Sequence, residues 1–492
     1  MEGKRTMTRP FGYEAILYGL SLESLTIGSL LAKRGRKVLI LSLEDDLEGF
    51  PFFVHQGFLF DAFPCLWPAT DPAQPHPALA ELGISLDLQL LHPGLQVVLP
   101  RHRFSLYAEE DLFQRELQRE FPRSMERLNL FLRRMKDLRG KMERFLQREL
   151  SSPSRGLRDR WSRSRNVPFS LPSMLQEGKL PLSPYVKDLW GDPDASLLVD
   201  ALLLGLGGVS IRDCNALFAA FLFGWLREPI YYPSGGAKGI YEALLACFSK
   251  NGGELCSTSQ APGLIREGKK LKGLATAEGE EFHGQVLLGG PALWQLWQAG
   301  DRQKGAGRPG AGLPQNQTLT LCLGVDQEVL PEEMGQHLLL VPDPVRSGVG
   351  PGPIWMTLSP GGEEARAPQG ERALSVSLTS PLDGARNGIH AEEGAKGIMA
   401  ELEDFLPFLS QGLHLQRAHL QRSFSLLQPG RRWGLRFRIA PLKQMGYPGL
   451  RPFSLEKNLF LIGDLPIHGI GPRAQIEAGC YWANLLAPLK EG

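Results

Sequence analysis

Between Tyr13 and Gly49 the chain reads YEAILYGLSLESLTIGSLLAKRGRKVLILSLEDDLEG, and no other stretch restricts the possible folds as much. Ala15 to Tyr18 is a short apolar run suited to a buried parallel strand. Leu25 to Lys33 has apolar residues at helical spacing, and Lys37 to Leu41 is a second apolar strand. A strand, a tight turn at Gly19, a helix and a strand make one right-handed crossover.

In the working version of such a unit, G-x-G-x-x-G, the first glycine permits the turn. The second lets the backbone approach a dinucleotide pyrophosphate, and the third lets helix and strand pack closely. Here those positions read Gly19, Ser21 and Ser24. Serine is small enough for packing at Ser24, but the Cβ of Ser21 stands where the phosphate approaches. Glu23 adds a carboxylate to the first helical turn, where the dipole and free N–H groups would otherwise receive the anion. Two unit charges about 5 Å apart repel by roughly 3 kcal/mol at an effective dielectric near 20. The acidic residue expected at the end of the second strand, on the adenosine ribose, is Ser42. Losing hydrogen bonds to a charged group costs roughly 1.5 to 3 kcal/mol. Unless something compensates, dinucleotide affinity falls by several orders of magnitude. The alternative is that Ser21 and Glu23 simply cap an ordinary helix.

Three segments, in order, resemble the flavoprotein superfamily that contains phytoene (carotenoid) desaturases, retinol saturase-like proteins, amine oxidases and the Rab GDP-dissociation inhibitors. The first runs through LLAKRGRKVLIL to Glu48-Gly49, with Phe50 where an arginine is frequent. The second is IYYPSGGAKGIYEALLACFSKNGGELCSTSQAPGLI, similar to the desaturase segment in which a YYP-x-GG turn opens a helix. The third, NLFLIGDLPIHGIGPRAQIEAGCYWANLL, resembles the last flavin-binding motif. The resemblance implies FAD as cofactor, with Gly19, Ser21, Ser24, Ser42, Gly49, Ala261, Gly463, Asp464, Gly469 and Gly471 at the cofactor positions. Asp464 would accept hydrogen bonds from the ribityl or pyrophosphate region, and the Gly469 to Gly471 turn would aim a helix N-terminus at the isoalloxazine. Ala261 stands where a valine usually touches the adenine side. The departures concentrate in the first motif, so one half of the flavin site reads as preserved and the other as degraded.

With 492 residues, 42% apolar content and a formal net charge of +1, the chain can bury a large core, and its overall charge does not point to nucleic acid. Cys65, Cys214, Cys247, Cys256, Cys322 and Cys480 are scattered without a C-x-x-C pair, and the histidines lack zinc-type spacing. No apolar signal core precedes the first strand, so a cytoplasmic location is the expectation. The longest apolar stretch, 195–211, contains Asp200 and two adjacent glycines and falls short of a membrane span. With NALFAAFLFGWL after it, it reads as a buried helix pair over a hydrophobic cavity.

Residues 112–165 carry sixteen Arg/Lys against seven Asp/Glu, while Leu128, Phe131, Met135, Leu138, Met142 and Phe145 fall on one helical stripe. Such a helix either meets an anionic membrane surface, with Trp161 extending the basic tail, or packs on its own domain with a solvated basic face. Gly/Pro-rich loops at 300–317, 341–353 and 359–371 bracket strand-like runs at 318–325, 337–341 and 373–380, followed by a helix beginning near Ala391.

The expected fold is α/β: a Rossmann-like FAD/NAD(P)-binding domain from 1–70, 228–292 and 430–492, plus an α+β substrate domain from 71–227 and 293–429. Two functions stay open. One is an FAD-dependent oxidoreductase resembling a phytoene desaturase, acting on a hydrophobic, isoprenoid-type substrate. The other is a catalytically inactive relative that holds a lipid or a protein partner in the same fold. An amine oxidase is a third possibility, since Trp433 lies near the segment that usually supplies an aromatic cage.

Overall fold

A computed structural model describes residues 12–43, 51–151, 181–212, 214–268, 270–290, 292–293, 295–297, 315–342, 352–382, 391–424, 453–456, 458–463 and 470–488. Glu48, Gly49, Phe50, Trp161, Trp433, Asp464 and Gly469 lie outside the described residues.

The crossover read from the sequence is present: β1 (Tyr13–Tyr18), α1 (Leu22–Lys33) and β2 (Val38–Leu43). Alternate faces of β1 enter two different cores, because the strand is covered on both sides. The middle segment supplies β5 (Ile230–Pro233), α5 (Gly236–Lys250) and β6 (Glu254–Thr258), β7 (Glu281–Gly289) follows it, and the last segment supplies β11 (Leu459–Leu461) and α6 (Gly471–Leu486). These assemble a parallel sheet in the order β6-β2-β1-β7-β11. An antiparallel extension, Lys270–Ala275 and Gly263–Glu267, continues from β7. Helices α1, α5 and α6 cover one face through Leu25, Leu30, Leu244, Phe248, Ile476 and their neighbours. Close helix–strand packing, expected at Ser24, occurs one turn later at Gly28, where an added Cβ would stand 3.0 Å from Phe248 and 3.1 Å from Ile40.

A second sheet contains β8 (Gln315–Asp326), β9 (His337–Leu340) and β10 (Leu413–Phe424). Its strand order begins β10-β8, continues through Glu371–Leu382 and Ile354–Leu358 to β9, and ends on Leu95–Val98 and Arg103–Leu106. Ile354–Leu358, and the pair from 95–106, were not marked by the sequence pattern, since their runs are short and flanked by proline or glycine. A hairpin of β3 (Phe52–His55) and β4 (Phe58–Asp61) links the two sheets, with Phe53, Phe58 and Phe60 packed against Cys322 and Leu415.

The helices beside this sheet include α2 (Met125–Ser151), α3 (Pro193–Gly207) and α4 (Ala216–Leu226). Asp192 caps α3 by accepting from the N–H groups of Asp194 and Ala195. Asp200, the charge that interrupts the apolar run, accepts the Ile211 N–H at 2.6 Å and so ties off the following turn. Leu128, Phe131, Met135 and Leu138 of α2 are buried with α4 in one apolar core. For these residues the packing alternative holds: the stripe is spent on the protein's own interior. Among the described residues, no helix is long and apolar enough to cross a membrane.

Candidate functional site

Parallel strands β1, β7 and β11 end side by side, with Tyr18 opposite Gly289 and Gly289 opposite Leu461. Their carboxyl ends therefore bring Gly19, Ser21, Ser24 and Gly463 together, although the chain separates the first three from the last by more than four hundred residues. This crevice is where ligands of open α/β sheets bind.

Gly19 makes the turn at φ +98°, and its N–H donates to the Leu41 carbonyl at 2.9 Å. Ser21 is the N-cap of α1 in a closed capping box: its hydroxyl accepts the Ser24 N–H at 3.1 Å, and the Ser24 hydroxyl accepts the Ser21 N–H at 2.7 Å. The helix start thus spends part of its anion-binding capacity on itself.

Glu23 takes up more of it. The residue is 5% exposed, and its Oε1 accepts the Gly463 N–H at 3.2 Å. A fixed carboxylate at the positive end of α1 is favoured by the helix dipole. By also accepting the Gly463 N–H, it ties the segment after β11 to the start of α1. A pyrophosphate does not fit this arrangement, because the buried Glu23 side chain stands at the helix start and the Gly463 N–H is already in use. The sequence raised repulsion by Glu23; the hydrogen bond to Gly463 is a further obstacle that only the fold reveals.

The other expected cofactor positions are more dispersed. Ser42 is 7% exposed on β2, paired in register with Ser257. Ala261 is exposed in the turn after β6. Gly471 opens α6 at φ +63°, and a Cβ there would collide with the Leu66 carbonyl oxygen, so the Pro64–Leu66 backbone packs directly on this helix start.

That backbone strap leads to a second polar centre, which the sequence reading missed. Asp61, at the end of β4, accepts from Arg366 Nη2 at 2.7 Å, the Tyr232 hydroxyl at 3.0 Å and the Ala237 N–H at 3.0 Å. It therefore holds together the hairpin, the N-terminus of α5 and the loop carrying Arg366, with both charged side chains of the ion pair at most 2% exposed. Burial opposes the guanidinium charge, but Asp61 and its polar neighbours outweigh it and hold the Arg366 pKa above its ordinary value. Burial, followed by the Asp61 charge, raises Tyr232 and Cys65. His337 is pushed down to about 4 by burial, with Asp61 opposing that shift and Arg366 adding to it. Burial raises Glu363. The available sequence signal was one acidic residue inside the apolar run FLFDAFPCLW.

Among the described residues, no group of three or more His, Cys, Asp or Glu is placed to hold a metal ion. All six cysteines are free thiols.

No family model matches the chain. It is 21% identical over 287 residues to the inactive all-trans-retinol 13,14-reductase of Danio rerio, and 23% identical over 282 residues to the all-trans-retinol 13,14-reductase of the same organism. Each alignment covers 55% of this chain and 46% of the relative, so the chain spans about half the length of the curated relatives it matches. Among solved structures, an oxidoreductase from Methanosarcina mazei is similar at a TM-score of 0.60 and 14% identity, covering 94% of this chain and 98% of that one. A putrescine oxidase bound to putrescine gives a TM-score of 0.60 at 11% identity, covering 97% and 98%. The Rab GDI of Plasmodium falciparum gives 0.51 at 12% identity, covering 92% of each chain. At these identities the likeness is one of fold.

Proposed function

For a chain with the fold of the FAD-dependent oxidoreductase superfamily, shared by amine oxidases and Rab GDP-dissociation inhibitors, we propose a catalytically silent, hydrophobic-ligand-binding role. In this reading Glu23 fills the place of the cofactor pyrophosphate. The observation that carries it is the Glu23–Gly463 hydrogen bond at the crevice. The ligand class is supported by the likeness to retinol reductases, one of them named inactive. The strongly apolar α3 and α4 add support. The division into a cofactor-type domain (1–70, 228–292, 430–492) and a ligand domain (71–227, 293–429) is part of the same proposal.

A second reading, an FAD-dependent oxidoreductase acting on an isoprenoid-type substrate, is favoured by the likeness to the all-trans-retinol 13,14-reductase. It requires the Glu23 carboxylate to leave the crevice. Its desaturase form rests on the middle-segment resemblance, and FAD would then be held by Gly19, Gly463 and the α6 start.

The test is titration of the purified chain with all-trans-retinol, read by quenching of tryptophan fluorescence, beside the visible absorption spectrum. Saturable quenching by a colourless protein is the expected result. Bound flavin together with substrate-dependent bleaching would replace this reading with the second, and no quenching by retinol or other long-chain isoprenoids would remove the ligand class.

A further inference from the structure

One exposed corner of the ligand half is neither part of the crevice nor explained by packing. The turn 187–191 runs along the N-terminal half of α2. Asp188 meets Arg134 at 3.3 Å, a Cβ on Gly191 would lie 3.2 Å from Arg127 Nη1, and Asp192 accepts from the Ser124 hydroxyl at 2.7 Å. Arg127, Leu130 and Arg134 recur at steps of three and four, so Leu130 lies between two points that this turn touches. Leu189 and Phe131 turn inward and are 1% exposed, whereas Trp190 is 62% exposed and Leu130 37% exposed.

Charge surrounds these two apolar side chains. Residues 123–137 and 187–191 contain six Arg or Lys against three Asp or Glu, in a chain whose formal net charge is only +1. Arg123, Arg127, Arg133 and Lys187 are exposed. An outward tryptophan and leucine among arginines is the composition that suits the boundary between water and an anionic bilayer: the indole sits at headgroup depth and the cations meet lipid phosphates and carboxylates.

We propose that this corner, Trp190 and Leu130 with their arginine rim, docks the protein on a membrane surface rich in anionic headgroups. The contact differs from the one anticipated from the sequence. The apolar stripe of α2 is internal as far as Leu138, and the docking elements are the flank of that helix and a turn some sixty residues away in sequence. The proposal stands independently of the cofactor question.

The test is co-sedimentation of the full chain with phosphatidylcholine vesicles, with and without phosphatidylserine, at low and high salt. Retention on phosphatidylserine vesicles at low salt, lost at high salt, is expected. Trp190→Ala should lower partitioning about tenfold, and Arg127→Glu with Arg133→Glu should abolish it. Leu130→Ser gives an independent reading in the same direction, and circular dichroism establishes that each variant is folded. Equal behaviour on the two vesicle types at low salt overturns the proposal. So does unchanged binding by both folded apolar variants, or binding of soluble heparin without any vesicle retention.

Discussion

Two buried carboxylates, Glu23 and Asp61, meet the same physical requirement in different ways. A carboxylate removed from water must be supplied with donors. Asp61 is met by a guanidinium, a phenol and a main-chain N–H brought from three separate elements, which makes it a clasp between the two sheets' halves. Glu23 sits on the first turn of α1 and takes the N–H of Gly463, a main-chain donor at the strand-end crevice. The first consolidates the structure; in the proposed reading the second takes the place of a ligand anion. Burial and hydrogen bonding alone do not separate the two roles, and what distinguishes them is whose donors are used.

The clasp is the place to expect the largest effect of a single change. Arg366→Met leaves Asp61 without its cation and should cost about 3–5 kcal/mol in denaturant unfolding. Asp61→Asn in the same background should recover part of that loss, because the uncompensated charge is gone. A cost below about 1 kcal/mol would mean that Asp61 reaches water, and the contrast with Glu23 would fail.

A pH effect comes next. The folded state keeps His337 neutral, with its pKa at about 4, whereas the unfolded chain titrates it near 6.5. Below 6.5 the unfolded state binds the extra proton, so stability falls as pH drops from about 6.5 to 4, by up to roughly 3 kcal/mol. His337→Phe should flatten this part of the stability–pH curve. An unchanged slope would show that burial does not hold His337 neutral in the folded state.

The smallest effect probes the crevice. Ser21→Ala opens the capping box and should cost about 1 kcal/mol, while Ser21→Gly should cost only a few tenths. Equal losses would show that the hydroxyl does not cap α1.

The same comparison explains how far the sequence could be read. The crossover was legible because apolar runs and one turn glycine encode it locally, and the YYP turn and closing helix carried similarly local signals. The Glu23–Gly463 contact joins positions 440 residues apart in sequence. Residue type made Glu23 suspicious, but only the parallel pairing of β7 with β1 and β11 identifies what its carboxylate meets. Arg366 was less legible still, since it lies in a Gly/Pro-rich polar segment that reads as a surface loop, yet is 1% exposed. The α2 stripe was correctly periodic, but periodicity marks a face without saying what covers it. Leu128 to Leu138 needed α4 to decide the matter.

The most direct test of the central claim is a titration of the wild-type chain and of Glu23→Gly with Ser21→Gly against FAD, followed by flavin fluorescence quenching. Glu23 as the built-in anion predicts no saturable binding by the wild type in the micromolar range. The double variant should bind roughly a hundredfold more tightly, the equivalent of the ~3 kcal/mol repulsion removed. Stoichiometric FAD binding by the wild type, or identical curves for the two proteins, would contradict it.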